Sequence, residues 1–391
     1  MKIESVDFFY VSMPEILDIG DGSQDALLVR IRAGGFEGWG ECEASPLTSI
    51  ASYVAPMSHS ACKPVKYSVE GKELNTAEDI QKISIAVHEN SLDLLQADHT
   101  LSGIDIALYD LLGKKHNAPV YTLLGYKNAY PKLPYASQLF GDDAEETFNK
   151  AKKTKTTGYK AVKFGWGPFG KYGLAKDVAH LKAAREGMGP DAYIMIDAGT
   201  IFGEDFSIAK ERLQALKEIN AYWFEEPFFN GALNAYHQLS ISEPRVPLAG
   251  GEGCNNYVQA QAMIEHSGVK FIQIDAGRIG GITVSKRVAD LAVARNITYV
   301  NHTFTSHLAL SASLQAYAGI ENDIISEYPV ELKKLAQEIA KEKILPDANG
   351  YISAPDRPGL GMTIDTIALK KYLVDVDIKV NGEKIYTTPE F

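Results

Sequence analysis

The chain has 391 residues, 45% of them hydrophobic and 23% charged, with a formal net charge of −11. That length exceeds one ordinary small core and suits a barrel with a second domain. The acidic balance, with no sustained basic run, argues against nucleic acid as a partner. No window approaches the roughly 20 apolar residues of a membrane span, and the N-terminus lacks a signal-type apolar stretch, so a cytoplasmic protein is expected.

Residues 1–33 read as strands, Ile3 to Val11 and Ala26 to Ala33, separated by a polar stretch, Pro14 to Asp25, with the composition of a mobile loop. A third strand, Phe36 to Glu41, follows Gly34-Gly35. The segment 43–75 shows little periodicity and is expected to be a long functional loop. From Thr76 to Gly113 the pattern turns helical, with Ile104, Leu108 and Leu111 or Leu112 on one face. Asp105 and Asp110 in that run are expected to face solvent or act as caps. Residues 1–125 thus form an α+β capping domain.

From Leu133 the chain alternates. Strands are predicted at 133–140, 161–165, 192–198, 221–226, 247–251, 270–275, 298–302 and 324–328. Helices are predicted between them at 143–157, 174–187, 205–219, 231–240, 256–267, 282–296 and 308–318. Eight strands and seven helices with short connections make a (β/α) barrel over residues 126–330. The segment 331–391 should form a helix, Glu331 to Lys343, then a turn-rich stretch and a strand that returns to the capping domain.

Within the barrel, short apolar runs end in an acid or a base at Asp197, Glu225, Glu252, Asp275, His302 and Glu327, at intervals of 23 to 28 residues. That is about the length of one strand, one helix and two loops. In a parallel barrel all these strand ends open on one face. Asp197, Glu225 and Glu252 come from three successive strands, and an oxygen-only set of this kind suits Mg²⁺. Glu226 rivals Glu225, since strand alternation lets only one of them face inward. Asp275 beside His302 would fix the tautomer of the imidazole and raise its basicity, making a general acid or base. His307 competes with His302 for that role, although it falls at the start of a helix.

Lys163 ends the second strand and could hold a substrate carboxylate or simply snorkel. Arg278 lies on a glycine-rich loop with access to a substrate, and Glu327 could hydrogen-bond the reacting carboxylate. Three cysteines, Cys42, Cys62 and Cys254, have neither disulfide nor metal spacing, and Cys254 near the site is read as a bystander thiol.

These residues resemble the enolase superfamily, mandelate racemase and muconate lactonizing enzyme type, over nearly the whole chain. The runs from Ser102 to Lys114 and from Pro119 to Gly125 resemble its capping domain. Asp197, Phe224-Glu225-Glu226-Pro227 and Gly251-Glu252 match its Mg²⁺ ligands, with Glu225 as the ligand of the acid pair. Asp275-Ala-Gly-Arg278 and His302 match its Asp–His dyad, and Glu327 its eighth-strand acid. The resemblance implies a modified (β/α)7β barrel under an N-terminal α+β capping domain completed by the C-terminal tail. It also implies abstraction of the proton α to a metal-bound carboxylate, the Lys-or-His-with-Mg²⁺ chemistry for which enolase-superfamily sites are a standard example.

The second strand departs from the family's Lys-x-Lys pattern, because Ala161-Val-Lys163-Phe-Gly165 has glycine where the second lysine would stand. A racemase needs a base on each face of the α-carbon. The expectation is therefore a Mg²⁺-dependent acid-sugar dehydratase, acting on an aldonate or aldarate and giving a 2-keto-3-deoxy acid. Alternatives are an epimerase, racemase or cycloisomerase drawing a second base from Tyr53 or Tyr67, and a binding barrel without chemistry. Substrate identity is expected to lie in the loops 14–25 and 43–75, where His59, Lys63 and Lys66 meet either substrate or solvent. The expected partner is a small carboxylate, an acid sugar, with no nucleic acid or membrane, and the chain is expected to form a homo-oligomer.

Overall fold

A computed structural model describes all 391 residues. The first unit is a three-stranded antiparallel sheet, β1 (Ile3–Ser12), β2 (Asp25–Ala33) and β3 (Phe36–Cys42), backed by helices α1 (Pro46–Val54), α2 (Ala77–Asn90), α3 (Ala97–His116) and the short α4 (Val120–Leu123). The segment expected to be a long loop therefore contains α1 and a 3-10 turn at Val65–Ser68. Residues 14–25 likewise close with a 3-10 turn, Gly22–Gln24, capped by Asp21.

Helix α3 is buried on every face from Ala97 to Gly113, because β3 packs on one side and the barrel on another. Gly38 and Gly40 of β3 allow that approach: a β-carbon on either would stand 2.1 Å from a carbonyl oxygen of α3. Asp105 and Asp110 do not face solvent as expected. Asp105 accepts from Thr283 N (3.0 Å) and Thr283 Oγ1 (2.5 Å) across the boundary with the barrel. Asp110 accepts from Trp39 N (2.8 Å), Leu360 N (2.9 Å) and Lys114 Nζ (2.7 Å). A buried carboxylate is tolerated where its lone pairs are filled.

The second unit is built of β4 (Leu133–Leu139), α5 (Ala144–Thr156), β5 (Ala161–Gly165), α6 (Leu174–Met188), β6 (Tyr193–Asp197), α7 (Phe206–Lys210), α8 (Leu213–Glu218), β7 (Trp223–Glu225), α9 (Leu233–Ser242), β8 (Leu248–Gly250), α10 (Tyr257–His266), β9 (Phe271–Ile274), α11 (Gly281–Ala294), β10 (Thr298–Asn301), α12 (His307–Tyr317) and β11 (Ile325–Pro329). All eight strands are parallel, in the order β10-β9-β8-β7-β6-β5-β4-β11, as in a modified (β/α)7β barrel with an N-terminal α+β domain. The predicted helix 205–219 is divided into α7 and α8. One layer of the barrel interior is apolar, with Leu133, Tyr135, Met195, Trp223, Phe271 and Val300 among its side chains.

No backbone ladder joins β10 to β11. The side chain of Asn301 bridges that seam instead. Its Oδ1 accepts from Glu327 N (2.9 Å) and Ser326 Oγ (2.9 Å), while Nδ2 reaches Glu327 O at 3.4 Å.

After β11 the predicted helix 331–343 shrinks to α13 (Lys334–Glu338); α14 (Thr366–Leu369) and the hairpin β12 (Asp377–Val380) and β13 (Glu383–Thr387) follow. The tail packs on the first unit. Val11 bridges Leu373, Tyr386 Oη donates to Phe8 O (2.7 Å), and Phe391 stacks on Phe9 at 4.4 Å. No helix is long and apolar enough to cross a membrane.

Candidate active site

The C-terminal strand ends of the barrel face the capping unit across a cavity of about 260 Å³. Its barrel wall includes Ser137, Gln138, Lys163, Asp197, Glu252 and His302. The capping unit supplies Ile19, Gly20, Asp21, Gly22 and Glu43. Register explains the first set. Residues two apart along a strand share a face, so the apolar interior positions Met195, Trp223 and Phe271 continue into Asp197, Glu225 and Asp275.

His302 follows β10 directly, and its ring is locked from both sides. Nδ1 meets Asp275 Oδ2 at 2.7 Å, and Nε2 stands 3.3 Å from Glu252 Oε2 and 3.9 Å from Glu327 Oε2. Burial disfavours its charge, but Glu252, Glu327 and Asp275 outweigh burial and hold the imidazole well above its ordinary pKa. His307 heads α12 instead, where its Nδ1 accepts from Ile344 N (3.2 Å) and burial lowers its pKa to about 4. It does not line the cavity.

Lys163 lies in the middle of β5. Its Nζ is 2.5 Å from Glu225 Oε1, 2.9 Å from Glu327 Oε1 and 3.6 Å from Asp197 Oδ2. Burial opposes its charge, yet these carboxylates drive its pKa well above the ordinary lysine value. Glu327, in mid-strand, accepts from Thr303 N (2.6 Å). Against the cost of burial, Lys163 and His302 pull its pKa down to about 2.

Glu225 and Glu226 do not divide as strand alternation requires. Glu225 points into the barrel, with Oε2 accepting from Trp223 Nε1 at 2.7 Å. Glu226 lies one residue past β7 with φ +36, which ends the alternation, and its Oε1 approaches Gly251 N at 3.4 Å. Both are buried, and neither lines the cavity, unlike Asp197 and Glu252.

The donors fit a hard divalent cation by their chemistry. Burial raises Asp197 to about 6 and Glu225 to about 8 despite Lys163, which lowers both, and raises Glu226 well above its usual value; neighbouring acids add to each rise, and a bound cation would favour the charged forms. These carboxylates are not gathered into a ready-made coordination shell, and the ammonium of Lys163 stands among them.

Gly165 leaves no space for the missing second lysine, since a β-carbon there would stand 2.7 Å from Asp197 Oδ2 and 2.9 Å from its Cβ. Trp166, with φ +57, lies over the next turn. Its indole comes within 2.6–2.9 Å of where β-carbons would stand on Gly20 and Gly199.

Arg278 lines the cavity, but its guanidinium is engaged. Nε and Nη2 donate to Glu43 Oε2 at 2.9 and 2.6 Å, and Nη1 donates to Glu252 O at 3.0 Å. Glu43 was not singled out from the sequence, nor was Glu41, whose carboxylate accepts from Ser306 Oγ. A pair of acids two residues apart at the end of a glycine-rich strand was the available signal.

Of the loops expected to meet substrate, 14–25 lines the cavity from Ile19 to Gly22, and 43–75 does so through Glu43. His59 pairs with Asp93 (3.1 Å) and Lys63 with Asn90 (2.7 Å). Tyr53 donates to Glu70 (2.7 Å), and Tyr67 is exposed, so neither offers a second base to the cavity. Cys254 is a buried thiol facing Asn230, pushed up to about 12 by burial.

Residues 19–125 match the model of the mandelate racemase / muconate lactonizing enzyme N-terminal domain, and residues 146–368 that of the enolase C-terminal domain-like family. The chain belongs to the mandelate racemase / muconate lactonizing enzyme family of the enolase superfamily. Within this family the chain is 29% identical to D-galactarolactone cycloisomerase of Agrobacterium fabrum, over 70% of this chain and 73% of that one. It is 28% identical to arabinonate dehydratase of Saccharolobus solfataricus, over 70% and 71%. Among solved structures, one from Rhodobacter sphaeroides, described as a predicted mandelate racemase, superposes with a TM-score of 0.95 at 54% identity, covering 99% of both chains. The 3,6-anhydro-D-galactonate cycloisomerase of Zobellia galactanivorans superposes with a TM-score of 0.82 at 27% identity, covering 96% of this chain and 100% of that one. Family membership makes this chain an enzyme whose relatives include acid-sugar dehydratases and cycloisomerases.

Proposed function

We propose that this enzyme is a Mg²⁺-dependent hydro-lyase that dehydrates an acid sugar, an aldonate or aldarate, to a 2-keto-3-deoxy acid. The observation that carries this reading is the single proton-exchanging group in the cavity. His302 lines the cavity with its Nδ1 on Asp275 and its Nε2 3.3 Å from Glu252, while the Lys163 ammonium is held between Glu225 and Glu327 and Gly165 offers no base. A reaction that moves protons on one face of the substrate suits such a site.

Asp197, Glu225 and Glu252 would hold the cation, with Glu226 behind them. Once bound, it would supply Lewis-acid stabilisation of the charge that develops on the substrate carboxylate. Lys163 adds a second positive charge beside that carboxylate, and Glu327 fixes Lys163. His302 Nε2 removes the α-proton, and the electron pair moves into an enediolate. The imidazolium then returns that proton to the β-hydroxyl, which leaves as water while the double bond forms. Tautomerisation of the enol gives the ketone. Asp275 holds the ring in place through both transfers.

The relatives named as cycloisomerases support a second reading with the same opening step, in which the leaving oxygen belongs to a ring. Incubating the Mg²⁺-loaded protein with a panel of sugar acids and their lactones tests both. Keto-acid release from an open-chain acid supports the dehydratase. Turnover of lactones alone favours the cycloisomerase, and α-proton exchange with inversion and no keto acid overturns both.

A further inference from the structure

One residue of the capping unit, Glu43 just after β3, reaches two parts of the barrel face at once. Its backbone N donates to Gly277 O (3.0 Å), and Gly277 N donates in turn to Asp275 Oδ1 (2.6 Å). The other oxygen of Asp275 meets His302 Nδ1 at 2.7 Å. The Glu43 side chain takes a second route. Its Oε2 accepts from Arg278 Nε (2.9 Å) and Nη2 (2.6 Å), and Arg278 Nη1 donates to Glu252 O (3.0 Å). Gly277 permits the close passage, because a β-carbon there would stand 2.9 Å from Glu43 N and 3.0 Å from Asp275 Oδ1. Both side chains of the ion pair are largely withdrawn from solvent, at 7% exposure for Glu43 and 21% for Arg278.

A guanidinium holds its donors in one rigid plane. With Nε and Nη2 on Glu43, Nη1 has a fixed direction, and it meets the backbone of Glu252. Glu252 lines the cavity, and its carboxylate stands 3.3 Å from His302 Nε2. Metal ligands and the imidazoles beside them depend for their orientation on the groups behind them. We propose that Glu43 and Arg278 are positioning residues: through them the capping unit sets where Glu252 and the Asp275–His302 pair stand. Arg278 then acts on the reaction through its neighbours, not as the substrate contact expected from the sequence. The inference rests on the cation site and the α-proton step of the proposed function, which the dehydratase and cycloisomerase readings share.

Arg278→Lys is the decisive variant, because lysine keeps a cation for Glu43 but lacks the fork that serves Glu252 at the same time. The full chain is titrated with Mg²⁺ by thermal shift, and washout of α-deuterium from labelled sugar acids is followed at saturating Mg²⁺. The thermal midpoint without Mg²⁺ should stay close to that of the unmodified protein. The Kd for Mg²⁺ should rise, and the washout rate fall, by about tenfold or more, the usual range for a group behind a ligand. Glu43→Ala should show the same losses, and Glu43→Gln, which keeps one acceptor oxygen, should recover part of them. The double variant Glu43→Ala/Arg278→Lys should lose little more than the worse single one, as expected of residues that act through one another. Unchanged Kd and washout in Arg278→Lys, whatever its thermal midpoint, would reduce the pair to a clasp between the two units and overturn the inference. Losses that simply multiply in the double variant overturn the claim that Glu43 works through Arg278. Should Glu43→Ala fail to fold, Arg278→Lys and Glu43→Gln decide. An unmodified protein that binds Mg²⁺ but releases keto acid from no sugar acid ends the dehydratase reading, and the comparison of Mg²⁺ affinities still decides this one.

Discussion

The amide of Asn301 stands in for a strand ladder, joining β10 to β11 through Glu327 N and O. His302 follows it in sequence, so the seam of the barrel and the acid–base group share a support. Asn301→Ala would leave the Glu327 amide and the Ser326 hydroxyl short of a partner in a buried site. We expect a loss of about 2 kcal/mol in denaturant unfolding, together with a lower kcat from misplacement of His302 and Glu327. Asn301→Asp should fare no better, since it introduces an acid beside Glu327.

His302→Asn removes the exchanging nitrogen and should lower kcat by about a thousandfold, within the usual range for a general acid–base group. Substrate KM should change little by comparison. Asp275→Asn should be milder, and washout of the substrate α-deuterium should slow in step with turnover for both. Wild-type exchange rates in either variant would remove His302 from the reaction.

Cation binding can be read without catalysis. Mg²⁺ at a hundred times its Kd should stabilise the fold by about 2.7 kcal/mol, and chelation should reverse this. Asp197→Asn and Glu252→Gln should each abolish most of the shift. A shift that survives in both would place the cation elsewhere.

Gly165→Ala sets a methyl against Asp197, with 2.7 Å to Oδ2. We expect the Mg²⁺-dependent thermal shift to shrink and kcat to fall at least tenfold, an order-of-magnitude figure for a displaced ligand. Gly165→Lys should behave likewise and gain no α-epimerisation, measured by optical rotation in deuterated buffer.

Asp105 gives a pH signature away from the site. Burial raises its pKa from 3.8 to about 7, although Thr283 donates to it. The folded state thus holds a proton that the unfolded chain releases. The stabilisation is fully present below pH 3.8 and is lost as pH rises through about 7. In Asp105→Asn the unfolding free energy should vary less between pH 4 and 7, by up to about 1.4 kcal/mol per pH unit. An unchanged pH dependence would mean that Asp105 is ionised in the fold.

The barrel was legible because its signal repeats: parallel strands covered on both sides are apolar throughout, and each run stops at a residue with chemistry, as at Tyr193–Asp197. What a one-dimensional pattern omits is what lies on the far side of an element. Asp105 and Asp110 looked like outward acids because the apolar stripe of α3 accounts for one face, while its other faces are covered by chain segments remote in sequence, Thr283 and Leu360. The same blindness hid Glu43, whose partner Arg278 lies 235 positions away. The choice between Glu225 and Glu226 could not be settled by alternation for a local reason: the strand ends at Glu225, and Glu226 takes a positive φ.

Trp166 has an optical consequence. Of the three tryptophans, Trp39 and Trp223 are buried, at 5% and 0% exposure, while Trp166 is 45% exposed and touches both the 14–25 loop and the turn after Asp197. Ligand entry would alter the surroundings of that indole and leave the other two largely undisturbed. The enzyme thus carries its own fluorophore at the mouth of the cavity, so that occupancy can be followed by emission wavelength and quenching without label or turnover.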